Sequence, residues 1–408
     1  MKCRHCQTKL TLPLIDLGAA PPSNAYLTKQ TLHTAEKNFP LRVLVCTECW
    51  LVQTEDYAKS DELFSPNYAY FSSFSTTWLK HAEQYVAEMV QRFTLNTNSL
   101  LIEVAANDGY LLQYAKSHGI PCLGIEPTTS TANAARTKGI DIIEAFFSVA
   151  LAQQLSLQGK KADLITANNV LAHVPDINDF VAGITLLLKP TGVATFEFPH
   201  LLHLVSQNQF DTIYHEHYSY LSLITVKKIF AHNGLNVFDV EELPTHGGSL
   251  RVYAQCMHTG AHKPNQRVAK LLQREIDTGV NDTTFYAGFQ ARANTIKNDL
   301  LVFLIEAQRA GKSVAAYGAA AKGNTLLNYA GVKQDLLPYV VDRNPAKQDK
   351  FLPGCRIPIV AEENLKHNKP DYVLILPWNL CTEIIEQLAC IREWGGQFVT
   401  SVPTLEIR

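Results

Sequence analysis

Two pairs of cysteines near the N-terminus have the type and spacing for metal chemistry. In Cys3-x-x-Cys6 and Cys46-x-x-Cys49 a tight turn can aim two thiolates at one ion, and two such knuckles complete a tetrahedral shell of four sulfurs. That shell has no open coordination position, so the pattern predicts a structural zinc that builds the fold and does no chemistry. The competing reading is two inert thiol pairs or a reversible dithiol. Thirty-nine residues separate Cys6 from Cys46, more than in the shortest ribbons, and Leu12–Arg42 is expected to be a loop excursion between knuckles. His5, inside the first knuckle, could substitute as a ligand but is expected to be a solvated turn residue.

A second constellation lies mid-chain. Leu100-Leu-Ile-Glu-Val-Ala-Ala-Asn-Asp-Gly109 reads as a buried strand running into a tight turn, Tyr110 to His118 as a helix, and Leu123-Gly-Ile-Glu-Pro-Thr128 as a second strand ending in an acid. This is the nucleotide-binding βαβ arrangement, in which the second acid, Glu126, binds two ribose hydroxyls. The turn departs from G-x-G-x-x-G: Ala105 and Asn107 stand where glycines are expected, and only Gly109 remains. A backbone that need not approach a pyrophosphate tolerates this, which favours S-adenosylmethionine over NAD. A generic Rossmann-like domain is the plainer alternative. The expected cofactor site is Glu103, Ala105, Asn107, Asp108, Gly109, Glu126 and Asn168. Gly109 lets the chain pass the methionine end, and Asn168, at a strand end, meets the methionine portion. Asp108 bonds the amino group or merely caps the following helix.

Stepping outward, the alternation continues with a strand at Ala162–Ala167, a helix near Ile177–Leu188 and strands at Gly192–Phe198 and Leu250–Gln255, predicting a doubly wound parallel sheet. Ahead of it, Asn67-Tyr-Ala-Tyr-Phe-Ser-Ser-Phe-Ser75 precedes a helical pattern from Trp78 to about Phe93. That run is either core plus an N-cap, or a lid whose Tyr68 or Tyr70 hydroxyl faces a site in the next domain. His262 to about Ala310 is helical, a bridge between domains. Lys312 to Asn324 reads as strand, small-residue turn and helix, with further strands at Tyr339–Asn344, Asp371–Leu376 and Gln397–Val402. Small residues at Gly318–Ala321 leave backbone N–H groups open to a phosphate at a helix N-terminus, and Lys322 adds charge; a structural domain with no ligand is the alternative. The expected fold is α/β: a small zinc-binding domain (1–65), a doubly wound, Rossmann-like S-adenosylmethionine domain (66–260) and a C-terminal Rossmann-like α/β domain (261–408).

Composition narrows the field. The 408 residues suffice for two or three domains, and 46% apolar residues is ordinary for a globular protein. With 36 Lys+Arg against 38 Asp+Glu, the chain has no global grip on nucleic acid. No apolar run approaches the ~18–20 residues a bilayer span needs, and Met1-Lys-Cys-Arg-His-Cys6 lacks the apolar core of a signal peptide. A cytoplasmic protein is expected, in which nine cysteines are not a disulfide framework.

Longer blocks carry a resemblance. Glu103-Val-Ala-Ala-Asn-Asp-Gly109, Gly124-Ile-Glu-Pro127, Ala167-Asn-Asn-Val-Leu-Ala-His-Val-Pro175, Phe210-Asp-Thr-Ile-Tyr-His-Glu-His-Tyr218 and His246-Gly-Gly-Ser-Leu-Arg251 resemble the S-adenosylmethionine-dependent sugar C-methyltransferases. These act on nucleotide-linked 4-keto deoxysugars. The four cysteines and the block Tyr317-Gly-Ala-Ala-Ala-Lys-Gly-Asn324 match as well, so the resemblance covers nearly the whole chain in order. It implies that the C-terminal domain, through Lys322 and Asn324, helps hold the substrate. The family's Tyr-x-Glu-His block carries over onto Tyr214, Glu216 and His217; position 215 is His here where members can carry an acid, so His215 competes with His217 as the base.

Carbon methylation needs a carbanion-like nucleophile. A 4-keto group acidifies the neighbouring C3 proton, so one base and one group to hold the enolate oxygen suffice. A histidine is the natural base, its pKa lying near operating pH. The resemblance puts His217 in that role, with Glu216 orienting it or the sugar hydroxyls and Tyr214 donating to the developing enolate oxygen; Tyr70 is also expected among the catalytic residues. His246, Gly247 and Gly248 form a turn that lets backbone approach the sugar, or a plain glycine turn. Tyr68 faces the substrate, and His173 is expected to be structural. The leading expectation is C3 methylation of a nucleotide-linked 4-keto-6-deoxysugar. The alternatives are an O- or N-methyltransferase on another metabolite and a non-catalytic, zinc-stabilised nucleotide-sugar binding protein.

Overall fold

The computed structural model describes residues 1–57, 63 and 71–408. Tyr68 and Tyr70 lie outside the described residues. In the N-terminal segment the apolar residues of Leu12–Leu17 need a partner surface, and they find it by pairing. β1 (Leu12–Ala20) runs antiparallel to β2 (Phe39–Val45), and β2 to β3 (Val52–Thr54). The expected excursion over 12–42 is therefore corrected: most of its first half is a strand that buries Leu14, Ile15 and Leu17. The fourth strand of this sheet, Ser219–Tyr220, comes from far along the chain.

The central sheet has seven strands: β4 (Leu101–Val104), β5 (Cys122–Ile125), β6 (Ile142–Ile143), β7 (Ala162–Asn168), β8 (Leu188–Pro199), then, beyond Ser219–Tyr220 (β9), β10 (Leu235–Leu243) and β11 (Ser249–Cys256). Their spatial order is β10-β11-β8-β7-β4-β5-β6, parallel from β8 to β6 and antiparallel where β11 meets β8 and β10. All four residues of β4 are buried, as a strand covered on both faces must be. The order reverses at β4, so the crevice for a ligand lies beyond the carboxyl ends of β4 and β7. The helix Thr76–Arg92 packs Ala82, Tyr85, Val86 and Met89 on this sheet, and Ser75 caps it by accepting from Trp78 N–H. The last residue of the aromatic run is thus an N-cap.

The C-terminal sheet orders β14 (Ile359–Val360), β13 (Val340–Val341), β12 (Val314–Tyr317), β15 (Tyr372–Ile375), β16 (Gln397–Thr400) and β17 (Glu406–Ile407), parallel except for β17. The helical bridge divides its loyalties. Gln266–Thr278 buries Val268 and Leu271 in the central core, whereas Phe289–Arg309 buries its apolar face with the C-terminal domain. The N-terminal segment does both: Leu14, Ile15 and Val43 of its sheet join the core containing Leu304 and Val314, while Cys3, Cys46 and Leu51 outside the strands join the central one. Among the described residues no helix is long and apolar enough to cross a membrane.

Candidate active site

The two cysteine knuckles converge. Cys3 Sγ lies 3.5 Å from Cys49 Sγ and Cys6 Sγ 3.5 Å from Cys46 Sγ, and the four sulfurs lie within 4.8 Å of one another. Zinc–sulfur bonds of about 2.3 Å span tetrahedral edges of about 3.8 Å, so the residues fit the ion. The Cys49 thiol, by donating to Cys3, pulls the Cys3 thiol well below its usual range against the effect of burial, and the Gln53 amide donates to the same sulfur at 3.3 Å. His5 is neither a ligand nor a solvated turn residue. It is buried, bonded through Nδ1 to Asn178 of the central domain at 2.8 Å, and edge-on to His232.

At the carboxyl end of β4 the turn keeps a glycine-loop shape without the glycines. Ala105, Asn107 and Gly109 all have left-handed backbones, with φ of 60°, 49° and 74°. Asn tolerates that region, Ala pays about 1–2 kcal/mol for it, and at Gly109 a Cβ would also sit 2.5 Å from Ile140 Cδ1. Glu126, at the end of β5, accepts from Asn107 N–H and from the Thr128 N–H and hydroxyl, holding the turn against the second strand. Glu103 is fully buried and its oxygens accept no full hydrogen bond from the protein, the Tyr110 hydroxyl acting on it from a longer reach. Burial therefore pushes its carboxyl well above the usual range. An ammonium group is the donor this carboxylate lacks, and the α-amino group of S-adenosylmethionine fits it. Asp108 does not cap the next helix, whose N-cap is Leu111 without a side-chain bond; it pairs with Lys138 at 3.4 Å and keeps Oδ1 unpartnered. Asn168 ends β7 beside this crevice.

The Phe210–Tyr218 segment is held by all three parts of the molecule. From the N-terminal module, Asn24 Nδ2 donates to Glu216 Oε1 at 2.7 Å and the Thr54 hydroxyl to the His217 carbonyl at 3.2 Å. From the C-terminal domain, the Thr325 hydroxyl donates to the Ile213 carbonyl at 3.0 Å and Trp378 Nε1–H to Asp211 Oδ2 at 2.7 Å. The His217 ring lies 3.9 Å from that of Tyr214 and 4.6 Å from that of His173, centroid to centroid, so His173 belongs to the cluster. Nδ1–H of His217 donates to the Thr212 carbonyl at 2.8 Å, because a carbonyl can only accept; Nε2 therefore carries the lone pair. Burial, then His173, pushes its pKa well below the usual histidine value, so the ring is neutral at pH 7. His215 points elsewhere, its Nε2 3.1 Å from the Phe39 carbonyl of β2. Oε1 of Glu216 is the oxygen that accepts from Asn24.

His246, φ 54° in its turn, bonds through Nε2 to Asn169 Nδ2 at 3.3 Å, which links the turn to the end of β7. Burial, then Lys322, lowers its pKa to about 4. Gly247 lies against Trp378 and Gln209, and Gly248, φ 109°, against the His203 ring. Lys322 donates to Asn379 Oδ1 at 2.6 Å, lies 4.6 Å above the Trp378 ring, and is electrostatically coupled to Asp211, His217 and His246. Asn324, next to Thr325 on the same helix, has its Oδ1 3.8 Å from Cys355 Sγ. Residues outside the sequence expectation also stand here. Glu197, buried in β8, accepts from His81 at 2.8 Å, Arg251 at 3.2 Å and Thr245 at 3.0 Å. Trp78 stacks on Tyr110 of the cofactor turn and tilts against His246. A charged residue amid the apolar run of β8 was the available signal for Glu197; Asn24, Trp78 and Trp378 had none.

The chain is similar to known proteins along nearly its whole length. Family models match residues 3–64 (a zinc binding domain), 78–240 (a methyltransferase domain) and 244–403 (the C-methyltransferase C-terminal domain). The chain is 33% identical over 402 residues to the C-methyltransferase NovU of Streptomyces niveus, covering 98% of this chain and 95% of that enzyme. It is 28% identical over 119 residues to a ubiquinone biosynthesis O-methyltransferase of Histophilus somni, covering 28% of this chain and 49% of that one. Among solved structures, magnesium protoporphyrin IX methyltransferase of Synechocystis PCC 6803 aligns with a TM-score of 0.34 at 16% identity, over 43% of this chain and 78% of that one. The chain belongs to the family of S-adenosylmethionine-dependent C-methyltransferases that join a zinc-binding domain, a methyltransferase domain and a C-methyltransferase C-terminal domain.

Proposed function

We propose that this C-methyltransferase removes the C3 proton of a nucleotide-linked 4-keto-6-deoxysugar and methylates the resulting enolate. The observation that carries the reading is the tautomer of His217: its Nδ1–H is spent on the Thr212 carbonyl, leaving Nε2 as a neutral, buried base among Tyr214, His173 and His246. In this reading Nε2 takes the C3 proton, and the electron pair of the C–H bond moves into the enolate, whose oxygen receives the Tyr214 hydroxyl. S-adenosylmethionine, held by Glu103, Gly109, Glu126 and Asn168, supplies a methyl group on sulfonium that the nucleophilic carbon can take in line. The expected open N–H groups at Gly318–Ala321 are largely spent inside the protein, Gly318 on the Val341 carbonyl, Ala319 on Asp342 and Ala320 on the Gly318 carbonyl, so Lys322 receives the diphosphate, its charge standing close enough to be felt at His217. In this reading domains bounded near 1–65, 66–260 and 261–408 hold the structural zinc, the methyl donor and the nucleotide, and side chains of the first and third reach the Phe210–Tyr218 segment of the second.

The test incubates the enzyme with 4-keto-6-deoxy nucleotide sugars in deuterated water. The wild type is expected to exchange the C3 hydrogen and, only with S-adenosylmethionine present, to yield a product one CH2 heavier. His217→Ala should lose the exchange while still binding the nucleotide. Exchange that persists in this variant removes His217 as the base; no turnover of any 4-keto sugar removes the substrate class.

A further inference from the structure

Behind the His246–Gly248 turn stands a second set of metal-type ligands, apart from the four cysteines. His200 follows β8 and His203 lies one turn later on the helix Leu201–Ser206, while Glu242 is near the end of β10. One nitrogen of each histidine and a Glu242 carboxylate oxygen lie within 4.8 Å of one another, with His203 Nε2 4.0 Å from Glu242.

The tautomer of His200 is dictated from behind. Both oxygens of the buried Glu275 already accept backbone N–H groups, Oε1 from Leu223 at 2.7 Å and Oε2 from Ile224 at 2.8 Å, so Glu275 stands here as an acceptor. His200 Nε2, 2.7 Å from Glu275 Oε1, must therefore donate, and its lone pair resides on Nδ1. That Nδ1 is buried without any hydrogen-bond partner, on a residue only 1% exposed. An unsatisfied buried acceptor is costly, and a carboxylate behind a histidine is how metal-ligating imidazoles are held and made more basic. His203 turns Nε2 toward Glu242, and the Gln207 amide 3.4 Å from its Nδ1 is a long contact that this partly exposed side chain can give up when Nε2 takes a ligand's role. Glu242 is half-exposed and bound to Arg274, a contact it can release.

We propose that His200 Nδ1, His203 Nε2 and Glu242 form a second metal site, for a divalent transition ion of the zinc or cobalt class with water completing the shell. Two imidazoles exclude magnesium and calcium as natural occupants. Closing the ligands from 4–4.8 Å to the ~3.4 Å edge of a tetrahedral nitrogen–oxygen site needs movement only of the half-exposed His203 and Glu242 side chains.

The test titrates the zinc-loaded full-length enzyme with Co2+. The expected result is one further equivalent per chain, with cobalt ligand-field absorption and no thiolate-to-cobalt charge transfer. His203→Ala and Glu242→Gln should each weaken it by about tenfold or more while retaining the cysteine-bound zinc. Arg274→Ala, which frees Glu242, should tighten it several-fold. No second equivalent, a spectrum of thiolate ligation alone, or unchanged binding in His203→Ala overturns the proposal.

Discussion

Replacing Asp211 by Asn should make the protein more stable at neutral pH and less stable in acid. Asp211 is fully buried; it accepts from Trp378 on Oδ2, and Oδ1 has no partner. Burial, opposed by Lys322 and the Trp378 N–H, raises its pKa from 3.8 to about 6. A rise of about two units is about 3 kcal/mol. The folded-state value lies above the unfolded one, so this stability is fully present below pH 3.8 and is lost as pH rises through 6. Asn cannot ionise and carries no such loss. Its amide oxygen can keep the Trp378 bond, but its NH2 replaces the unpartnered Oδ1, a penalty of about 1–2 kcal/mol at every pH. The variant should therefore be less stable by about 1–2 kcal/mol near pH 4 and more stable by about 1–2 kcal/mol near pH 8. At about 2–4 °C per kcal/mol for a domain of this size, the Tm difference should swing by about 6–12 °C and change sign. Calorimetry of both proteins from pH 4 to 8 measures it. A difference that stays constant across that range would refute the burial argument. The same variant should lose activity, because the carboxylate balances the Lys322 charge and a neutral amide does not.

Other consequences are equally direct. The acid limb of kcat/KM should fall below pH 6.5, because a base held neutral by burial is protonated only in stronger acid; a limb above 6.5 contradicts the geometry around His217. His217→Gln should lower kcat by about 10²–10⁴-fold in steady-state assays, and a loss under tenfold would rule it out as the base. Gly109→Ala should cost about 1–3 kcal/mol and weaken S-adenosylmethionine in calorimetry, since φ is positive and the new Cβ meets Ile140. Chelating the cysteine-bound zinc should abolish activity in step with zinc release, because Asn24 and Thr54 of that module hold Glu216 and His217; activity surviving full removal would detach the module from the site.

Much of the scaffold is legible in short stretches of sequence. The cysteine knuckles, the strand–turn–helix around Gly109 and the acid at 126 are local patterns, and each is where the spacing places it. The loss of two glycines from the turn does not change its shape, because Asn107 accepts a left-handed backbone and the fold around Ala105 enforces one. Where the local reading failed, burial had the deciding part. The stretch 12–20 reads as loop between knuckles, yet its leucines and isoleucine had to be covered, and pairing with β2 covers them. His5 reads as a turn residue, but its knuckle docks on the central domain.

By itself, then, the sequence determined the chemistry carried by neighbours in the chain: four thiolates in two knuckles, an acid at the end of the strand after the glycine turn, a tyrosine, glutamate and histidine within four positions. Only the tertiary structure decided which groups face one another. Asn24 reaches Glu216 across 192 positions and Trp378 reaches Asp211 across 167, and no periodicity connects residues so far apart. Nor does a residue's identity state its tautomer. The Thr212 carbonyl assigns the lone pair of His217 and the Glu275 carboxylate that of His200, because a hydrogen bond at one ring nitrogen determines what the other can do.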